Sequence, residues 1–166
     1  MAEETEEPLY AVLRTLEEGV EIREYDFQIR ATSPMGQENR SFGILAEYIF
    51  GQNDQSERIG MTAPVVTYRD KMSFIMPKRY KLRNLPRPLN AQITIDQVES
   101  EKIAVIRFSG FTGSKKVAEE AEKLITILKS NRIEIEGEPF LMRYNPPWTL
   151  PFLRRNEVAV KVKLQS

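Results

Sequence analysis

The 166-residue sequence contains no cysteine and no histidine. The first absence removes disulfides, thiolate nucleophiles and zinc–thiolate sites. The second removes the usual general base and the commonest metal ligand. Ser-His-Asp and Cys-His catalysis are therefore excluded, and a transition metal would have to rely on carboxylates, Tyr or Met. There is no phosphate loop and no dinucleotide fingerprint. No apolar run reaches about 18 residues, so no transmembrane span is expected. Neither sign of charge dominates, with 24 Lys and Arg against 24 Asp and Glu. The acids are concentrated at the start, where Glu3, Glu4, Glu6 and Glu7 stand without a basic neighbour. Residues 1–9 read as a disordered acidic tail. After residue 8 there are 24 basic and 20 acidic residues, too even a balance for the basic stripe that nucleic acid requires. The acidic start is unlike a secretory or transit peptide, so a cytoplasmic location is expected.

At this length, residues 10–166 are most simply one domain. A short strand over Tyr10–Leu16 is followed by a turn at Glu17–Gly19. "VEIREY" (20–25) then alternates apolar and polar residues, as a half-buried strand does, and "DFQIRAT" continues it or pairs afresh. A helix is predicted over about Gln37–Phe50, closed by Gly51. "PVVTY" and "MSFIM" form a hairpin around Asp70–Lys71. The Pro-rich segment 77–90 is a link, after which the pattern restarts. Two strands, "AQITIDQVE" and "KIAVIRF", precede a helix over about Ser114–Asn131, with Ser114 as N-cap. A strand near Phe140–Tyr144, the irregular "NPPWTLPFLRRN" and a cleanly alternating strand, "EVAVKVKL" (157–164), complete the chain. The order strand, strand, helix, strand, strand thus occurs twice, in halves of about 10–77 and 91–165. The expected class is α+β: two ββαββ halves forming a twisted, mostly antiparallel sheet or distorted barrel, flanked by two helices.

The two helices differ. In the second, Val117, Ala118, Ala121, Leu124, Ile125 and Leu128 form one stripe, and Glu119–Lys123 is an i,i+4 pair worth about 0.2–0.5 kcal/mol. In the first, at about 100° per residue, Phe42, Leu45, Ala46 and Ile49 cluster on one side while Ile44 and Tyr48 extend the apolar arc to about 200°. That is wider than a sheet needs. The extra flank either meets another element or lines an apolar groove.

"IGMTAPVV" (59–66) sets Gly60, Ala63 and Pro64 in an apolar run, as a tight corner of the core or the wall of a site. Met61, Met72 and Met76 read as core filler or as soft contacts for an irregular ligand. Tyr48, Tyr68, Tyr80 and Tyr144 read as buried rings with satisfied hydroxyls or as phenolate ligands. Lys78, Arg79, Lys81, Arg83 and Arg87 are a solvated run or an anion cradle. Arg154 and Arg155 suggest an ion pair with Glu157. No carboxylate pair, including Glu21/Glu24 and the Glu134–Glu138 set, lies in an evidently apolar setting. Trp148 reads as a packed plug, with an exposed partner contact as the other reading. No catalytic constellation and no metal cluster emerges, and no oligomeric state is set.

With these stretches in view, the sequence resembles the SOUL haem-binding protein family. The resemblance rests on "VEIREY" (20–25), "YIFGQN" (48–53), "IGMTAPV" (59–65), "MSFIMP" (72–77), "FSGFTG" (108–113) and "YNPPWTLPFLRRNEVAV" (144–160). It implies a distorted β-barrel of two similar halves with two helices. It further implies non-enzymatic binding of haem or a related tetrapyrrole, for buffering or transport. Some members hold the ligand in a hydrophobic groove beside the first helix, whereas others use a histidine that this chain lacks. By position, the groove would use Phe42, Leu45, Ala46 and Ile49. Arg40 would meet a propionate, with Lys161 or Lys163 as a second cation. Burial of a flat porphyrin, or of another flat hydrophobic ligand, at about 25 cal/mol per Å² is enough for binding without an iron ligand. The alternative is an effector-binding or small-molecule hydrolase domain with an apolar cavity between the halves and a buried Glu. It rests on the likeness of the expected fold to bacterial multidrug-regulator ligand domains.

Overall fold

The computed structural model describes residues 5–36, 38–146 and 148–164. Among them are ten strands and two α-helices, and eight strand pairs run antiparallel. The class is α+β.

The chain forms two compact units, one from residues 5–8 and 27–99, the other from 9–26 and 100–164. The first unit contains β3 (Gln28–Pro34), α1 (Glu38–Ile49), β4 (Val65–Thr67), β5 (Lys71–Ile75) and β6 (Thr94–Val98). Its strands run in the order β4-β5-β3-β6. The predicted hairpin is β4–β5, in register Val65↔Phe74 to Thr67↔Met72. Ile29 and Ala31 of β3 and Met72 and Phe74 of β5 alternate onto one face. There they form a core with Leu45, Tyr48 and Ile49 of α1 and with Ile59, Met76, Tyr80, Leu85 and Ile93.

The second unit contains β1 (Tyr10–Thr15), β2 (Glu21–Tyr25), β7 (Glu101–Phe108), α2 (Ser114–Ser130), β8 (Glu134–Ile135), β9 (Phe140–Arg143) and β10 (Asn156–Lys163). Here the order is β1-β2-β7-β10-β9, with β8 beside the end of β10. The β1–β2 turn is a single 3₁₀ turn at Glu17–Gly19. Glu18 and Gly19 both have positive φ, a reversal that glycine makes at low cost. Ile22, Ala104, Ile106, Val158, Val160 and Val162 point to the face covered by α2, where Leu124 and Leu128 complete the core.

The strand pairing crosses the sequence repeat. β6 pairs with β3 (Gln28↔Val98), and β2 pairs with β7 (Arg23↔Ile103). The first unit therefore takes one strand, β6, from the later repeat, and the second takes two, β1 and β2, from the earlier one.

Several local expectations are revised. Gly113, not Ser114, caps α2, and no side-chain hydrogen bond is made there. Lys123 pairs with Glu120 (3.4 Å) rather than with Glu119, and Lys116 also reaches Glu120 (2.9 Å). Glu120 is itself buried. Residues Asn156–Val160 of β10 are buried on both faces, and alternation begins only at Lys161. The cause is that both faces are covered: Val158 and Val160 pack in the core under α2, and on the opposite face Glu157 is covered by Arg23, Tyr144 and Arg155. Of the expected acidic tail, residues 1–4 lie outside the described residues. Glu6 is fixed: its carbonyl accepts from the Ala63 amide (2.9 Å) and its carboxylate from the Lys78 amide (2.7 Å).

Candidate functional site

The apolar arc of α1 divides into a buried and an exposed part. Leu45 and Ile49 are 0% and 1% exposed and belong to the first unit's core. They support the helix from behind and present no surface to a ligand. Phe42 (41% exposed) and Phe50, which directly follows α1 (61% exposed), lie on the outer flank, with half-buried Ala46 between them in the i, i+4, i+8 row. Phe42 is held from below by an edge-on contact with Phe74, 5.3 Å between centroids. Arg58 lies over the Phe50 ring at 5.2 Å. Arg40 is exposed near the start of α1, and Lys161 is exposed on β10. The predicted groove residues thus separate into two core positions and an outward row of Phe42 and Ala46, to which Phe50 and Arg58 are added. The signal for Phe50 is its place in the sequence, eight residues after Phe42 and so on the same helical row, just before Gly51.

The C-terminal end of α1 is tied to the Pro-rich link. Tyr48 donates its hydroxyl proton to the Pro86 carbonyl (2.6 Å), so this ring is a buried strut and not a ligand. Burial pushes its pKa well above that of an ordinary phenol. Asn53 donates to the carbonyls of Tyr48 (3.1 Å) and Glu57 (2.8 Å) and accepts from the Glu57 amide (3.0 Å), closing the 50–58 loop. The Asp54 carboxylate accepts from the Arg87 amide at 2.8 Å. Arg79 donates to the Tyr80 hydroxyl (2.7 Å), which donates to Glu57 (3.0 Å). The five basic side chains of the link are all exposed. The 59–66 stretch is a corner of the core, with Ile59 and Ala63 buried, a cis Ala63–Pro64 peptide, and the Thr62 hydroxyl bonded to the Ile75 carbonyl. Met72 and Met76 are core residues, while Met61 is exposed.

The second unit holds a buried charge cluster that strand alternation concealed. Arg23 donates through both terminal nitrogens to Glu157 (2.9 and 2.7 Å) and through Nε to Glu21 (2.9 Å). Arg155 reaches the same carboxylate at 3.3 Å, and the Tyr144 hydroxyl donates to it. Burial works to raise the Glu157 carboxyl pKa. Hydrogen bonds and charge from Arg23, with help from Tyr144 and Arg155, outweigh that and hold it below the usual range. Of the two arginines expected to pair with Glu157, Arg155 does so. Arg154 donates instead to the Thr149 carbonyl (2.8 Å), and the dominant partner is Arg23. Trp148 is not a plug, since it is 83% exposed.

The model of the family described as SOUL heme-binding protein matches residues 5–161. The chain belongs to that family. It is 30% identical to heme-binding protein 2 of Homo sapiens over 129 residues, 70% of this chain and 62% of that protein. It is 28% identical to heme-binding protein 1 of Sus scrofa over 125 residues, 69% of this chain and 65% of that one. The chain thus spans a little under two thirds of the length of the curated relatives it matches. Among solved structures, the C-terminal domain of EcmrR has a TM-score of 0.65 at 12% identity, covering 93% of this chain and 98% of that one. A hydrolase from Listeria innocua has a TM-score of 0.58 at 8% identity, covering 91% and 94%. At such identities the likeness is one of fold alone.

Proposed function

We propose that this SOUL family member binds haem or a related tetrapyrrole non-enzymatically, as a buffer or carrier, on the outer flank of α1 and without a histidine ligand. The observation that carries the reading is the exposed row Phe42–Ala46–Phe50 in a chain matched to the family model over residues 5–161. A flat macrocycle laid on that row would bury ring against ring, and about 25 cal/mol per Å² of apolar area accumulates without any metal bond. Arg40 and Arg58 supply guanidinium groups suited to propionate carboxylates. The effector-binding or hydrolase reading needs a buried carboxylate left open to a ligand. Glu157 is buried, but Arg23 already engages both of its oxygens, so the tetrapyrrole reading is preferred.

The test is a haemin titration of the full chain, followed at the Soret band. A saturable change at one-to-one stoichiometry is expected, weakened about tenfold or more by Phe42→Asp or Phe50→Asp with unchanged circular dichroism. A flat titration, or one indifferent to both substitutions, overturns the reading. Leu45→Asp is unsuitable as a probe because it places a charge in the core.

A further inference from the structure

An exposed apolar surface in the second unit is built by two loops. The 109–113 loop follows β7, and the 144–155 loop joins β9 to β10. They are bonded to each other: the Gly110 amide donates to the Pro151 carbonyl (2.8 Å), and the Asn156 side chain donates to the Gly110 carbonyl (3.0 Å). The longer loop is internally braced by bonds from the Thr149 amide to the Pro146 carbonyl (3.1 Å) and from the Leu153 amide to the Leu150 carbonyl (2.9 Å). Arg154 joins the two again, lying over the Phe111 ring at 5.6 Å while bonding the Thr149 carbonyl. On this braced scaffold, Phe111, Trp148, Leu150, Phe152 and Leu153 are each more than half exposed.

Five such side chains on one pair of loops exceed the scattered apolar exposure of an ordinary surface. The two sequence stretches that carry them, residues 103–118 and 139–156, contain Arg107, Lys115, Lys116, Arg143, Arg154 and Arg155 and not one Asp or Glu, in a chain whose net charge is zero. Two of these cations are ion-paired with acids just outside the stretches, Lys116 with Glu120 and Arg155 with Glu157. Trp, Phe and Leu at a tip, collared by Lys and Arg, match the chemistry of a bilayer interface. There, aromatic rings sit at headgroup depth and basic residues meet anionic lipid.

We propose that the paired 109–113 and 144–155 loops form a peripheral docking tip for an anionic lipid bilayer, with Trp148, Phe152, Leu153 and Phe111 entering the interface and Arg/Lys around them contacting headgroups. The tip uses none of the α1 residues and does not depend on the tetrapyrrole reading.

Trp148 is the only tryptophan, so its emission reports on the tip directly. The full chain is mixed with phosphatidylcholine vesicles, and separately with phosphatidylcholine vesicles containing phosphatidylglycerol. Co-sedimentation and emission are then read across a salt series. The expected result is co-sedimentation with the anionic vesicles, a blue-shifted Trp148 emission, and weakening as salt rises. The pair Phe152→Ser, Leu153→Ser should lower partitioning about tenfold or more at unchanged circular dichroism, and Lys115→Glu should lower it on anionic vesicles. Failure to sediment with either vesicle overturns the proposal, as does sedimentation undiminished by the double substitution. Equal binding to both vesicle types removes the anionic requirement and overturns it as stated. A blue shift that grows with protein concentration and needs no lipid overturns it in favour of contact between copies of this chain.

Discussion

Arg23 on β2 and Glu157 on β10 form a bidentate pair, with Nη1–Oε1 at 2.9 Å, Nη2–Oε2 at 2.7 Å, and neither residue more than 4% exposed. The two strands are not neighbours, since β7 runs between them. The pair therefore spans three strands, and its desolvation is offset only while both partners and the Tyr144 hydroxyl are present. Replacing one partner leaves a buried charge. Arg23→Met alone should cost about 3–5 kcal/mol, whereas Arg23→Met with Glu157→Leu should cost much less. Denaturant midpoints of the single and double variants check this, and a double variant as damaged as the single one would contradict it.

The same carboxylate gives stability an acid limb. The Glu157 pKa is lowered in the folded chain, so the unfolded chain takes up the proton first as pH falls. The stabilisation is complete above the ordinary glutamate range, about 4.3. It is lost progressively as pH drops through that value toward the folded pKa. In Glu157→Gln the acid limb should flatten. Urea titrations at stepped pH compare the two slopes.

An alkaline limb follows from Tyr48. Burial raises its pKa in the folded chain, so the unfolded chain ionises first as pH climbs past about 10. Stability is full below that value and falls above it. Tyr48→Phe should lower stability by about 1–3 kcal/mol at neutral pH, because the Pro86 carbonyl loses its donor. It should also reduce the alkaline decline. Phenolate absorbance during alkaline titration, together with melts at neutral and high pH, reads both effects.

The two sides of α1 should respond differently to truncation. Leu45→Ala removes a fully buried side chain and should cost about 2–5 kcal/mol. Phe42→Ala sacrifices an edge-on contact on a half-open surface and should cost less while weakening haemin binding more. Thermal melts and haemin titrations on the same two variants separate support from contact.

Glu6 should be measurable as a fastener of the 62–63 corner. Its carbonyl accepts from Ala63 and its carboxylate from Lys78. Removing residues 1–8 should speed hydrogen exchange at the Ala63 and Lys78 amides, with a stability cost near 0.5–1.5 kcal/mol for each bond. Exchange rates unchanged at both amides would contradict the role.

Elements with a clear period were legible. The β4–β5 hairpin, the turn at Glu17–Gly19 and both helices follow the apolar spacing and the turn residues. The buried charges were not. In "VEIREY" Arg23 occupies the polar phase of a strand, and a sequence does not distinguish a polar phase facing solvent from one facing a partner carboxylate on a strand more than a hundred residues away. Nor does the sequence single out Glu120, one acid among several on α2, as the buried one. The α1 site was half legible: the spacing gave an arc of about 200°, but which edge of the arc meets the sheet depends on tertiary packing. That packing took Leu45 and Ile49 inward and left Phe42 outward. The exposure of Trp148 was not legible, because a Pro-rich loop carries no period that separates a packed plug from an exposed contact.

The exchange of strands between the repeats governs how the chain must assemble. Arg23 finds Ile103 and Gln28 finds Val98, contacts separated by most of a hundred positions, so neither unit can complete its strand pairing until the later half has been synthesised. High contact order of this kind slows folding. A break engineered in the 77–90 link would yield two fragments, each holding a strand the other lacks. Such fragments should recover native structure only by reassociating, which makes the link a natural place to split the molecule into two pieces that fold conditionally on each other.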